Sequence, residues 1–170
     1  MHKSATISPC GKYRYRLTRE VNPAGKGLCV FIMLNPSTAD ANKDDPTIRR
    51  CMRFTTDMGF SELLVVNLFA FRATSPDDMK STVDPVGPDN KFHLVTAALA
   101  ADMIIAAWGA HGGHMGQDEQ VLEWLDSRGI HALGLTKDGK PRHPLYLKAD
   151  SKPILFKREG ATSPQPKARG

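Results

Sequence analysis

Between Lys12 and Val21 the chain reads KYRYRLTREV. Tyr13, Tyr15 and Leu17 alternate there with Arg14, Arg16 and Thr18, the period of a half-buried strand with one wet face, expected at a sheet edge. The turn VNPAGKG follows. LCVFIML (28–34), ELLVVNLF (62–69) and DMIIAAW (102–108) are nearly continuous apolar runs rich in β-formers. Such runs are expected of strands covered on both faces. His131 to Leu135 adds a short fourth. Between these runs the period changes to that of a helix. Asp45 is placed to cap a helix that Pro46 opens and Gly59 closes, with Ile48, Cys51, Met52, Thr55 and Met58 at helical spacing. Pro88 opens a second helix, with Phe92, Val95 and Leu99 on one stripe and Leu94 and Ala98 beside it. Gln117 to Arg128 reads as a third, with Val121, Leu122, Trp124 and Leu125 facing in.

Buried strands alternating with helices imply parallel pairing and right-handed crossovers with helices on both faces. The expected fold is therefore α/β: a three-layer α/β/α sandwich on a central, mainly four-stranded parallel sheet, plus an N-terminal edge strand or hairpin. Residues 1–156 are expected to form the single domain. The stretch from 157 to 170 is rich in Pro, Gly, Ser and Lys/Arg with no apolar anchor, and reads as a disordered basic tail.

Composition narrows the class. At 170 residues, 41% hydrophobic and 24% charged, the chain resembles an ordinary soluble domain. No apolar run approaches the ~20 residues that span a bilayer, and the N-terminal charges precede no apolar signal stretch. Three cysteines, Cys10, Cys29 and Cys51, cannot all pair, so free thiols in a reducing cytoplasm are expected. The formal net charge is +5. Its excess lies at the two ends, with five Lys or Arg against one Glu in residues 1–20, which leaves the middle near neutral and nucleic-acid binding an open question.

In a sheet of this kind ligands bind outside the carboxyl ends of the strands. The four segments there are LNPSTAD, VNLFAFRATSP, WGAHGGHMG and KPRHPLYLK. Asn35 and Asn67 stand at two strand exits, either as turn residues or as carboxamides that read an amide-like edge. His143 precedes Pro144, which restricts it to extended backbone; its ring is either an ordinary loop histidine or a donor held on a stiff backbone. His111 and His114 lack a third ligand, so no metal is expected. Trp108 reads as core. Asp40, Asp44 and Asp45 read as helix-capping acids.

Taken in order, these loops resemble the uracil-DNA glycosylase superfamily. Leu34-Asn35-Pro36-Ser37 is similar to its first motif, Leu64-Val65-Val66-Asn67-Leu68 to its base-reading strand exit, Ile105-Ala106-Ala107-Trp108-Gly109 to its strand ending in Leu-Trp-Gly, and His143-Pro144-Leu145 to its His-Pro motif. The wording NPSTAD…DDPTIRRC…NLFAFRATSP…WGAHG also resembles a bacterial and phage family, domain of unknown function 1643, over nearly the whole chain.

The resemblance implies a uracil-DNA glycosylase-like fold and a protein hydrolysing the N-glycosidic bond of a flipped base in DNA. It implies Asn35 and His143 as catalytic, and Asn67, Phe69, Phe71 and Trp108 as base-binding; with no aromatic between Asn35 and Phe54, Phe69 or Phe71 takes the stacking role. Ser37, Arg142, Leu145, Tyr146 and Lys148 would contact DNA. No cofactor is required. The implied partner is DNA, single- or double-stranded, or a nucleotide ligand, engaged by a monomer. The alternatives are a nucleotide- or modified-base-binding module without catalysis, and an enzyme acting on a free nucleoside or nucleotide.

Overall fold

In the computed structural model, residues 1–161 are described, and they form a mixed seven-stranded sheet with helices on both faces. The strands are β1 (Lys3–Ile7), β2 (Arg14–Glu20), β3 (Leu28–Met33), β4 (Glu62–Asn67), β5 (Met103–Ala106), β6 (Ile130–Ala132) and β7 (Ile154–Lys157). The helices are α1 (Pro46–Asp57), α2 (Pro76–Ser81), α3 (Asn90–Ala100) and α4 (Gln117–Trp124). Across the sheet the order is β1-β2-β4-β3-β5-β6-β7. β3 pairs in parallel with both β4 and β5, and β5 with β6. The hairpin β1–β2 and the strand β7 join antiparallel at the two sides.

The continuous apolar runs are continuous because each strand feeds two cores. Cys29, Phe31, Leu63, Val65 and Ile105 pack with Ile48, Cys51 and Phe54 of α1 on one face. Val30, Ile32, Leu64, Val66, Ile104 and Ala106 pack with Leu94, Ala97 and Ala98 of α3 and Val121 of α4 on the other. Alternate residues thus point into opposite cores, which is the period of two acting twice over. The α1 signals act as expected. Asp45 is extended, its side chain accepts from the Ile48 N–H at 2.8 Å, and Pro46 follows.

Several expectations need correction. β2 is not an edge strand; β1 covers it on one side and β4 on the other. Two of its arginines, Arg14 and Arg19, are buried. The segment after β4, expected as a loop, contains the short helix α2, capped by Ser75. On α3 two residues of the expected stripe face water, Phe92 at 65% and Leu99 at 67% exposed, while Val95 packs partly buried against the core. The small residues Ala97 and Ala98 are buried with Leu94 instead, because close approach to the sheet favours them. β6 is shorter than expected and lies between Ile130 and Ala132. Strand β7 has no counterpart in the pattern reading, and its Lys157 is buried, donating to Asp126 at 3.1 Å. The order therefore runs past residue 156; the remainder of the expected tail, 162–170, lies outside the described residues.

Candidate functional site

The chain leaves β3 to one side for β4, then returns to the other side of β3 for β5. That reversal opens a crevice at the carboxyl ends of the three strands, the position where such sheets bind ligands. A cavity of about 730 Å³ lies there. Its wall includes Met33 at the end of β3 with Leu34 and Asn35 beyond it, Asn67 at the end of β4, Trp108 and Gly109 beyond β5, and Arg142, His143, Leu145 and Tyr146 from the fourth loop.

Backbone bonds fasten the loops around it. The N–H of Leu68 donates to Met33, that of Phe69 to Leu34 and that of Ala73 to Pro36. The third and fourth loops are joined by Gly109 N–H donating to the Pro141 carbonyl at 2.7 Å. Gly109 has φ +76°, and a Cβ there would lie 3.7 Å from the Cβ of His143. Only glycine takes that backbone without strain, so the Trp-Gly turn is what lets the His143 loop close over β5.

Asn35 donates both hydrogens of its amide, to the carbonyls of Pro36 and Ala73 at 3.0 and 2.9 Å. It is a turn residue, one of the two roles its position allows. With nitrogen tied to two carbonyls, its Oδ1 is the side that remains able to accept. Asn67 behaves differently. It is 1% exposed, lines the cavity, and neither its Oδ1 nor its Nδ2 has a partner. The nearby carbonyls of Asn67 and Leu68 are taken by the amides of Asn90 and Gln117. A buried carboxamide with no hydrogen bonds costs about 1–3 kcal/mol, and native proteins rarely leave one unless something else satisfies it.

His143 has φ −62° and ψ 140°, extended as its following proline requires, and its Nδ1 accepts from the Leu145 N–H at 3.2 Å. In the neutral ring the hydrogen must then sit on Nε2. Burial pushes the imidazole pKa below its ordinary value, while Asp45 pulls it the other way. Both the burial and the Leu145 N–H contact favour a neutral imidazole with its donor on Nε2.

Two residues that pattern reading sets aside also belong to the wall. The alternation places Arg14 on the wet face of a strand; it is instead 2% exposed and lines the cavity. Its Nη1 donates to the Ala39 carbonyl at 2.9 Å, and its Nε has no partner. Burial lowers its pKa to about 10, opposed by Asp45. Nothing in the alternation KYRYRL distinguishes this arginine from Arg16. Asp45 caps α1 as expected and in addition faces the cavity, near enough to favour the charged forms of Arg14 and His143. The motif Asp-Pro signals the cap, not the second role.

Of the expected site residues, Asn35, Ser37, Asn67, Trp108, Arg142, His143, Leu145 and Tyr146 meet at the cavity. Phe69, Phe71 and Lys148 do not. Phe69 is in the core, its ring against His114. Phe71 packs on Tyr13 at 6.0 Å, and Lys148 is exposed elsewhere. Trp108 reaches the wall, but its ring packs edge-on to Phe156 and close to Gly112. Strand alternation alone would put residues 67, 69 and 71 on one face; β4 ends at Asn67, and Phe69 instead joins the core that contains Val66 and Leu68. His111 lines the cavity and meets Lys80 at 3.0 Å. Among the described residues no group of three or more His, Cys, Asp or Glu could hold a metal, and no helix is long and apolar enough to cross a membrane.

Fold and cavity together define an α/β protein with a mixed seven-stranded sheet and a cavity, lined partly by polar side chains, at the switch point of that sheet. The chain belongs to the family described as Protein of unknown function (DUF1643), whose model matches residues 14–145. No curated protein and no solved structure matches it.

Proposed function

We propose that the protein hydrolyses the N-glycosidic bond of a base in DNA, on a fold of the uracil-DNA glycosylase type. The observation that carries this reading is the Asn67 carboxamide, buried in the cavity with both polar atoms unpaired. A donor and an acceptor side by side match the amide-like edge of a nucleobase. The base leaves its stack at a cost of a few kcal/mol and enters the cavity, with Leu145 and the exposed Tyr146 at the mouth taking its place.

The C1′–N bond breaks and its electron pair departs on the base. The Nε2–H of His143 donates to the base oxygen where negative charge gathers, an effect worth ~3 kcal/mol in comparable sites. Asn35 Oδ1 accepts from a water that attacks C1′; the water's proton leaves to solvent or to the departing base. A neutral donor suits this role, since it stabilises an anion without having to lose its proton.

The test is a panel of single- and double-stranded oligonucleotides carrying unmodified and modified bases. Abasic sites are read by alkaline strand scission and released base by chromatography. At least one substrate should yield both, with about 100-fold slower release in His143→Ala. No release from any member, or release unchanged in both His143→Ala and Asn35→Ala, overturns the reading. A second reading, a base- or nucleotide-binding module without chemistry, draws on the position of Phe69 and Phe71 outside the cavity. Saturable binding with no product over many hours would select it.

A further inference from the structure

Arg14 is the feature of the cavity that the hydrolytic reading leaves unused. A guanidinium has five N–H donors and stays charged. Here one nitrogen has a carbonyl partner, Nε has none, and among the described residues no carboxylate lies within ion-pair distance. A buried cation is costly unless it is paired and hydrogen-bonded. Asp45, among the described residues the only acidic one in the wall, already uses an oxygen to cap α1. With Arg14 and Arg142 against Asp45, the ionised side chains of the wall carry a net positive charge. The N-terminal turn of the twelve-residue α1 also faces the cavity, through Pro46, Thr47 and Ile48, and adds partial positive charge there.

A structural role explains Arg14 poorly. Binding the Ala39 carbonyl needs one N–H, which a neutral side chain would supply without the cost of burying charge. The missing partner is therefore an acceptor with negative charge, of a size that enters with the ligand.

We infer that the inner wall is an oxyanion subsite, in which Arg14 takes an anionic oxygen group carried by the same ligand whose ring Asn67 reads. This rests on the base-reading role of Asn67 but not on the hydrolytic step. Exposure decides which end of the ligand is meant. Arg14 and Asn67 are both almost wholly buried, whereas Tyr146 is 77% exposed at the mouth. A base swung out of a strand enters ring first and leaves its backbone phosphates at the mouth. From a strand, the group that reaches Arg14 is then an acidic substituent on the base, such as a ring carboxylate. A free nucleotide can instead bring its phosphate to the same place. The shared chemistry is a planar ring bearing an oxyanion.

The experiment is a binding titration of matched pairs by calorimetry, on the full-length wild-type chain. One arm compares 5-carboxyuracil and 5-carboxycytosine with uracil and cytosine. The other compares the 5′- and 3′-monophosphates of the four common deoxynucleosides and of deoxyuridine with the parent nucleosides; inorganic phosphate alone is the control. In one arm the anionic member should bind at least tenfold tighter, and that advantage should shrink to about twofold or less in Arg14→Gln. Partial rescue in Arg14→Lys, with unchanged circular dichroism, separates charge from fold. The carboxylate arm winning assigns the anion to the base, and the phosphate arm winning assigns it to a nucleotide. Equal affinities within every pair, or an advantage that survives Arg14→Gln, overturns the subsite. Should anionic ligands bind in an Arg14-dependent way while no oligonucleotide loses a base, the subsite stands and the hydrolytic reading falls. Base release without any preference for anionic ligands overturns the subsite and leaves hydrolysis standing.

Discussion

Strand β2 carries two buried arginines that hold the same loop, and they are held in opposite ways. Arg19 is fully buried, with Nε donating to the Asp44 carboxylate at 2.7 Å and its Nη atoms to the carbonyls of Ser4, Thr18, Asp40 and Lys43. Burial would raise the Asp44 pKa, but the hydrogen bond and charge of Arg19, helped by Lys3, leave it below the ordinary carboxylate value. Arg14, five residues earlier, has one carbonyl and an orphaned Nε at the cavity wall. The first is a finished structural network. The second is an unfinished network at the cavity wall. Buried charge is thus informative here through its unfilled hydrogen bonds, not through its burial.

The largest expected effect breaks the finished network. Arg19→Met should cost about 3–5 kcal/mol, because it strands the Asp44 carboxylate and several carbonyls. Arg14→Met should change stability by less than about 1.5 kcal/mol, since the loss of one guanidinium–carbonyl hydrogen bond is offset by relief of a poorly paired buried cation. Urea unfolding of the two variants measures both, and equal losses would make the two arginines alike and end the contrast. Next comes Asn67→Leu. It should stabilise the unliganded protein by about 1 kcal/mol by removing an unsatisfied carboxamide, and abolish ligand binding. A loss of stability there would mean that Asn67 has a structural partner.

A pH profile sharpens the comparison further. His143 is pushed below its ordinary value of 6.5 by burial, so the acid limb of ligand binding should fall below 6.5. The folded pKa is lower than the unfolded one. Its contribution to stability is therefore full above the unfolded value and is lost as pH falls through the folded one. Asp45 holds the His143 pKa up. Asp45→Asn, which keeps a capping side chain, should move the acid limb of binding to still lower pH. A limb that moves upward, or stays in place, removes Asp45 from the site. The smallest effect belongs to the surface pair Arg53–Asp57 on α1, 3.1 Å apart and largely exposed. Arg53→Ala should cost no more than about 0.5 kcal/mol, by thermal unfolding, and leave binding unaltered.

Much of this organisation is legible along the chain. The runs 28–34 and 62–69 contain β3 and β4 because residues facing two cores leave no polar face. The Asp45–Pro46 start of α1 is legible because a cap is a local hydrogen bond between residues three apart in sequence. The loops bearing Asn35, Asn67 and His143 stand out because ligand sites of such sheets follow the strand ends. Phe69 and Phe71 lie outside the cavity wall for a non-local reason: how each ring is aimed depends on what packs behind it, the core and His114 for one, Tyr13 for the other.

What the sequence by itself determined is therefore the alternation of strands and helices, the two-faced core and the loops to search. These depend on periodicity and capping, which act within a few residues. Only the tertiary structure decided that Arg14 is buried, that β1 rather than β2 is the edge, and that Asn67 lacks a partner while Asn35 has two. Those facts turn on which distant groups share a small volume. A hydrogen bond left unmade leaves no mark on the spacing of residues, because it is a property of everything around the side chain and not of the side chain itself.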